Sequence, residues 1–212
     1  MSIKSNIRKI KSEVPENVTI IGVTKYVDAK VAKELFDSGI THLGENRPDV
    51  FLEKYSEIKG DVTWHFIGTL QTRKVKNVIN KIDYLHSLDR LSLAEEIQKR
   101  AAGKVKCFVQ VNIVEEENKH GLMVEEVLGF IKEMASYDKI EVIGLMTMAP
   151  FTNDEQVIRD CFASLRGLQK KVLTLDLPHA PCKELSMGMS DDYQIAIEFG
   201  ATFVRLGRCL IN

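Results

Sequence analysis

The segment TIIGVTKYVDAKVAKELFDSGITHLGE (residues 19–45) contains the pattern that decides the fold. It begins with a short apolar run that ends at Lys25, continues through an amphipathic stretch, and closes with a second short apolar run. Short runs rich in Val and Ile are typical of buried strands, whereas the mixed stretch between them has the periodicity of a covering helix. The segment therefore predicts a strand, a helix and a second, parallel strand.

The same alternation recurs about eight times along the chain, after a leading helix predicted near residues 2–13. No Pro/Gly/Ser linker or low-complexity tract interrupts the series. We therefore expect a single domain spanning residues 1–212 and folded as a closed (β/α)8 barrel of the TIM type, with an open doubly wound sheet as the alternative. Strands are predicted at residues 19–25, 41–45, 64–68, 84–88, 106–113, 141–148, 184–187 and 203–206.

Capping residues mark the ends of several predicted helices. Asp28, Asp89 and Asn153 stand where helix N-caps are expected. Gly39 and Gly103 stand where C-caps belong. These positions separate the helices from the strands on either side.

Composition favours a small-molecule partner. The 29 basic and 30 acidic side chains nearly cancel, so no strong field is available to hold a nucleic acid or an anionic membrane. The first residues lack the continuous apolar stretch of a secretory signal, and no later run approaches transmembrane length. We expect a monomeric, cytoplasmic protein with reduced, buried thiols. Those thiols belong to Cys107, Cys161, Cys182 and Cys209.

Unusual residues at strand ends are candidates for function, because barrel sites gather at the carboxyl ends of the strands. Lys25 ends an apolar strand, where partial desolvation favours the neutral amine that attacks a carbonyl. The alternative is an ordinary lysine that extends from the strand terminus into solvent. His65, inside a strand, is interpreted as a hydrogen-bonded structural histidine, with a catalytic base as the alternative. Lys119 and His120 follow an acidic stretch and are expected in a solvated loop.

The segment SMGMSDD (residues 186–192) follows the seventh predicted strand and opens a helix. Its glycine allows close backbone approach, and Ser190 offers a hydroxyl at a predicted helix N-cap, where exposed N–H groups bind phosphate. The next strand ends in RLG (residues 205–207), and backbone sites after strands seven and eight form the recurrent phosphate cradle of this barrel type. The alternative is a simple N-cap whose two following acidic residues complement the helix dipole.

Several motifs in order give the chain a family resemblance. Thr24-Lys25, Gly44-Glu45-Asn46, WHFIG with the glutamine three residues later, GLMTM, SMGMSDD and RLG together resemble the pyridoxal phosphate homeostasis protein family, itself similar to the N-terminal barrel of alanine racemase. The resemblance covers nearly the whole chain. It implies pyridoxal 5′-phosphate as the cofactor. The implied cofactor contacts are a Schiff base on Lys25, Asn46 near the ring, Arg205 at the pyridine nitrogen, and Met189, Ser190 and Gly207 at the phosphate.

The resemblance also implies a function. An arginine facing the pyridine nitrogen keeps that nitrogen unprotonated, which makes the ring a poorer electron sink. We expect no domain beyond Gly207 to supply a second catalytic base. A protein that buffers or delivers the cofactor in vitamin B6 homeostasis, with apo-enzymes and amino acids as further partners, is therefore expected instead of an enzyme. A racemase-like enzyme of low activity and a Schiff-base aldolase of a sugar phosphate are the alternatives.

Overall fold

Eight parallel strands close into a barrel in their chain order, so that the last strand pairs with the first. The computed structural model describes residues 2–114 and 120–212. The closed barrel confirms the predicted fold over the open sheet. The strands are β1 (Thr19–Val23), β2 (His42–Glu45), β3 (Thr63–Phe66), β4 (Tyr84–Leu88), β5 (Val105–Gln110), β6 (Ile140–Met146), β7 (Glu184–Met189) and β8 (Phe203–Leu206).

Helices follow the strands and cover the outside of the barrel. The predicted leading helix is present as α1, and Asn6 ties it to the last helix by donating to the backbone oxygens of Leu210 and Asn212. The helices are α1 (Ile3–Glu13), α2 (Ala29–Asp37), α3 (Pro48–Glu57), α4 (Val75–Val78), α5 (Leu91–Arg100), α6 (Val127–Glu133), α7 (Glu155–Leu173), α8 (Tyr193–Glu198) and α9 (Arg208–Ile211). Short 3-10 turns lie at Thr72–Lys74, Val124–Glu126 and Met134–Ser136.

The ends of α2 agree with the capping prediction. Asp28 accepts a hydrogen bond from the Val31 N–H at 2.9 Å, and Gly39 takes a left-handed φ of 97° just after the helix. Asp89, in contrast, does not cap α5. Its carboxylate pairs at 2.6 Å with the guanidinium of Arg90, the residue that occupies the N-cap position.

Two further capping predictions are wrong. Asp154, and not Asn153, caps α7, because its carboxylate accepts from the Gln156 N–H at 3.0 Å. Gly103 is not the C-cap of α5. The helix ends at Arg100, and its C-cap Ala101 has an extended backbone (φ −70°, ψ 132°) instead of a left-handed one.

Strand boundaries differ from the predicted ones by a few residues. Lys25, Gly68, residues 111–113 and residues 147–148 lie beyond their strands, while β7 runs two residues further, to Met189. The apolar pattern continues past the last regularly paired residue, and single backbone bonds still follow it, such as that from the Val111 N–H to the Met146 carbonyl at 2.9 Å. The predicted strand-end lysine is therefore a loop residue directly above the barrel.

The interior of the barrel is a small apolar cluster beneath polar residues. Ile21, Phe108, Met146 and Phe203 pack together and are fully or nearly fully buried. Since alternate strand residues point to the same side, the face of β1 that carries Ile21 leads toward Lys25. A much larger apolar layer lies between the strands and the helices.

Cys107, Cys161 and Cys182 are buried, as predicted, whereas Cys209 is only partly buried and departs from the prediction. Burial raises the pKa of the Cys182 thiol to about 12, so this group stays protonated at neutral pH. None of the helices in the described part of the chain is both long and apolar enough to cross a membrane.

Candidate functional site

Lys25 lies two residues beyond β1 and is half-buried. Its Nζ stands 4.8 Å from the ring centre of Tyr26, a cation–π contact, and the tyrosine side chain is 86% exposed. Among the described residues, none accepts a hydrogen bond or forms an ion pair with this amine. The Lys25 amine is therefore open to a carbonyl compound.

A buried ion pair fixes the backbone just before Lys25. Lys54 of α3 donates to Glu45 Oε1 at 2.5 Å and to the Thr24 carbonyl at 2.6 Å, and the Thr24 hydroxyl donates to the same carboxylate oxygen at 2.5 Å. Both charged side chains are at most 1% exposed. These contacts join the end of β1 to β2 and α3. They are hard to separate, because a buried charge that loses its partner strongly destabilises the folded state.

Asn46 follows β2 and lies next to the end of β1. Val23 pairs with Gly44, and the Thr24 N–H donates to the Gly44 carbonyl at 3.1 Å. The segments that follow β1 and β2 therefore leave the barrel side by side. A Cβ at Gly68 would come within 2.3 Å of the Asn46 carbonyl oxygen. Glycine at this position thus allows the loop that carries Asn46 to cross the end of β3.

Arg205 lies deeper in the barrel than Lys25, since the strand register pairs it with Ile21. Its guanidinium is buried and donates to Ser186 Oγ at 2.6 Å and to the Thr147 carbonyl at 2.9 Å. Burial lowers the pKa of Arg205 to about 10, although the nearby carboxylate of Asp192 raises it. The side chain is a fixed cation at neutral pH.

Ser190 faces the helix after β8 and does not cap the helix after its own strand. Its hydroxyl oxygen accepts from the N–H groups of Gly207 at 3.3 Å and Cys209 at 3.4 Å. The prediction of a Ser190 N-cap is wrong, because α8 begins at Tyr193 with Asp192 in the N-cap position. A Cβ at Gly207 would stand 3.3 Å from the Val23 carbonyl oxygen, so the glycine keeps open the space between β8 and β1.

The acidic residues after Ser190 are engaged by other groups. Asp192 accepts from the Met189 N–H at 2.5 Å, and Asp191 pairs with Arg208 on the surface. Burial raises the pKa of Asp192, an effect that the Met189 N–H opposes. Met189 therefore offers its side chain, which is 36% exposed, while its N–H is already used within the loop. A phosphate contact from Met189 stays a prediction.

Three histidines inside the barrel form a row that the sequence analysis did not connect. His42 Nδ1 lies 2.9 Å from His65 Nε2, and His65 Nδ1 lies 2.9 Å from His86 Nε2. His86 Nδ1 in turn lies 2.8 Å from the Ser186 hydroxyl that contacts Arg205. His65 is thus a buried, hydrogen-bonded residue, in line with its structural interpretation. The sequence signal that could have revealed this row is the position of the histidines on three successive strands.

Burial keeps these imidazoles neutral. Loss of solvation lowers the pKa of His65 and of His86 well below the usual value, and their neighbours along the row lower it further. Burial also lowers the pKa of His42, against a raising effect of Asp83. All three rings are therefore uncharged at neutral pH.

The loop predicted around Lys119 and His120 is described only in part. Lys119 lies outside the described residues, while His120 is exposed and its carbonyl accepts from the Gln110 amide at 3.2 Å. A cleft of about 430 Å³ opens at the other end of the barrel, lined by residues that include Lys11, Glu16 and His42. We nevertheless place the candidate site at the carboxyl end, because the Lys25 amine, the Arg205 guanidinium and the N–H groups of Gly207 and Cys209 lie toward that end.

The fold and the residues at its carboxyl end define the class of protein. Residues 1–211 match the alanine racemase N-terminal domain family. Within that class, the chain belongs to the pyridoxal phosphate homeostasis protein family. It is 40% identical to the pyridoxal phosphate homeostasis protein of Aquifex aeolicus over 91% of this chain and 86% of that protein. It is 31% identical to the one of Schizosaccharomyces pombe over 100% of this chain and 92% of that protein.

Solved structures show the same similarity. PipY of Synechococcus elongatus, in a structure with PLP bound, superposes with a TM-score of 0.92 at 28% identity over 100% of both chains. Alanine racemase from Corynebacterium glutamicum superposes with a TM-score of 0.82 at 15% identity, over 98% of this chain and 60% of that chain. The racemase shares the fold alone.

Proposed function

We propose that this protein, as a single domain spanning residues 1–212, binds pyridoxal 5′-phosphate at the carboxyl end of its barrel and buffers or delivers it in vitamin B6 homeostasis. The observation that carries the proposal is the meeting of an open lysine amine, a buried arginine and a cluster of N–H groups at one barrel end. The names of the relatives and the PLP-bound PipY structure support it.

The residues at this end fit the cofactor. Lys25 provides an amine for its aldehyde, and when bound the cofactor supplies the carbonyl carbon of a Schiff base with that amine. Gly207 keeps a space free beside N–H groups that now point at the Ser190 hydroxyl, a donor set suited to a phosphate. In the proposal, Asn46 contacts the ring and Met189 contacts the phosphate.

Arg205 is the reason to propose a carrier and not an enzyme. A guanidinium has donors and no acceptor, so a pyridine nitrogen facing Arg205 would have to accept and stay unprotonated. Such a ring withdraws electrons weakly, which slows racemisation, decarboxylation and transamination. Apo-enzymes and amino acids are the proposed recipients, and a cytoplasmic monomer is the proposed form. A racemase-like enzyme of low activity is the second candidate, favoured by the accessibility of Lys25.

The attachment of the cofactor is tested by borohydride reduction of the loaded protein and peptide mass mapping. We expect the pyridoxyl adduct on Lys25 and its loss in the Lys25→Ala variant. Lys30→Ala, which removes an exposed lysine of α2, is the matched control and should label like the wild type. An adduct on a different lysine of the wild-type chain would overturn the assignment.

The same loaded protein distinguishes carrier from enzyme. One sample is incubated with a panel of L- and D-amino acids, and another with an apo-transaminase and a trap for free aldehyde. We expect activation of the apo-transaminase without amino-acid turnover. Turnover on the order of 1 s⁻¹ or more would establish the enzyme instead.

A further inference from the structure

A row of hydrogen-bonded side chains inside the barrel ends at Arg205. It consists of His42, His65, His86 and Ser186 and is hereafter called the histidine column. The direction of its hydrogen bonds is determined at that end. Arg205 can only donate, so Ser186 Oγ must accept from Nη1. The Ser186 hydroxyl proton then needs an acceptor, and among the described side chains that contact this hydroxyl only His86 Nδ1 can be one. Since a neutral imidazole carries one proton, that of His86 lies on Nε2.

The rule that a neutral imidazole carries one proton applies to each further histidine of the column. His86 Nε2–H donates to His65 Nδ1, which places the His65 proton on Nε2. His65 Nε2–H then donates to His42 Nδ1, and His42 Nε2–H points away from the column. The opposite direction would leave a buried hydroxyl proton without an acceptor, which destabilises the folded state.

Packing holds the rings in this arrangement. His65 stacks on Tyr84 with ring centroids 4.5 Å apart and planes 5° apart, and His86 stacks on Phe108 at 4.4 Å and 22°. A ring held between such neighbours cannot rotate to exchange its two nitrogens without opening the core. The column is thus a rigid, one-directional chain of hydrogen bonds.

We propose that the histidine column is a positioning device for Arg205: His42, His65 and His86 each keep their proton on Nε2, so that the Ser186 oxygen always presents a lone pair to the guanidinium. The geometry alone carries this direction. The consequence for a ligand rests on the proposed function, because a guanidinium held in one place keeps the pyridine nitrogen an acceptor. The histidines are positioning residues and touch neither the cofactor nor Lys25 in this proposal.

The direction is tested by long-range ¹H–¹⁵N correlation spectra of the chain labelled with ¹⁵N-histidine, recorded with and without pyridoxal phosphate. We expect His42, His65 and His86 to be protonated on Nε2 only, in both samples. His179 is the internal reference, because its Nε2 lies 2.9 Å from the Ile131 carbonyl, which can only accept. A proton on Nδ1 of any column histidine would overturn the proposal while leaving the proposed function untouched.

The positioning role is tested by the exchange of the Arg205 side-chain protons with solvent, in the protein without cofactor. The variant His86→Leu interrupts the column. We expect its Arg205 side-chain protons to exchange on the order of tenfold faster than in wild type, because a tenfold ratio corresponds to the loss of one buried hydrogen bond. Phe108→Leu alters the ring that stacks on His86 but leaves every hydrogen bond of the column. Equal exchange rates in the two variants would mean that the column contributes only packing and does not position Arg205.

Discussion

At the scale of single residues, Ser190 is the side chain whose loss isolates the phosphate contact. Ser190→Ala removes a hydroxyl that could bond a charged acceptor, a contact worth about 1.5–3 kcal/mol. Affinity for pyridoxal phosphate should therefore fall roughly ten- to a hundredfold, as measured by equilibrium dialysis. The fold should persist, because the hydrogen bonds that the hydroxyl accepts from the N–H groups of Gly207 and Cys209 are long, at 3.3 and 3.4 Å.

Ser12→Ala is the matched control, since Ser12 Oγ donates to the Lys9 carbonyl on the exposed face of α1 and belongs to none of the proposed cofactor contacts. Its affinity should equal that of wild type. Unchanged affinity in Ser190→Ala would show that the Ser190 hydroxyl serves only to join the β7 loop to α9.

Individual site residues were predictable where their position in the fold depends on the strand pattern. Lys25 and Arg205 follow or belong to apolar strands, so the alternation of the barrel places them at its carboxyl end. The sequence assigned Ser190 to the wrong helix, because capping rules consider only the helix that follows directly in the chain. Its hydroxyl instead contacts the start of α9, which follows the next strand, β8. The resemblance supplied the identity of the cofactor, which no spacing of residues contains.

At the scale of secondary-structure elements, the link between α3 and β2 depends on the buried pair of Lys54 and Glu45. Lys54→Met leaves the Glu45 carboxylate buried without its cation and should lower the free energy of unfolding by about 3–5 kcal/mol. Urea denaturation measures the effect. The double variant Lys54→Met with Glu45→Gln should recover part of the loss, because no uncompensated charge remains.

Lys33→Met is the control on the neighbouring helix. Lys33 pairs with Asp37 four residues on at 2.6 Å, but both side chains are about half exposed. Such a helical surface pair contributes about 0.3–0.5 kcal/mol, so its loss should be barely measurable. A similarly small effect of Lys54→Met would contradict the buried ion pair.

Element prediction succeeded where a helix carries its own start signal and failed elsewhere. Asp28 caps α2 as its sequence indicates, but α3 begins with Arg47 at the N-cap and Pro48 after it, without a capping side chain. A lysine on a helix is normally solvated, so burial of Lys54 depends on a glutamate from another element. Sequence spacing does not reveal such a contact.

At the scale of the whole molecule, the barrel encloses ionisable groups that an unfolded chain exposes. His65 and His86 are fully buried, and burial lowers the pKa of each well below its ordinary value of about 6.5. Below that ordinary value the unfolded chain binds protons that the folded chain does not. The free energy of unfolding must then fall as the pH falls.

We therefore expect unfolding free energy to be nearly constant above pH ~7 and to decrease below pH ~6.5, with a slope approaching about 2.7 kcal/mol per pH unit for two histidines. Asp192, whose pKa burial raises, acts in the opposite direction. Urea denaturation at several pH values measures the slope, and His65→Gln should remove about half of it. A flat profile between pH ~7 and ~5.5 would mean that the histidines titrate in the folded barrel, and the one-directional column could not exist there.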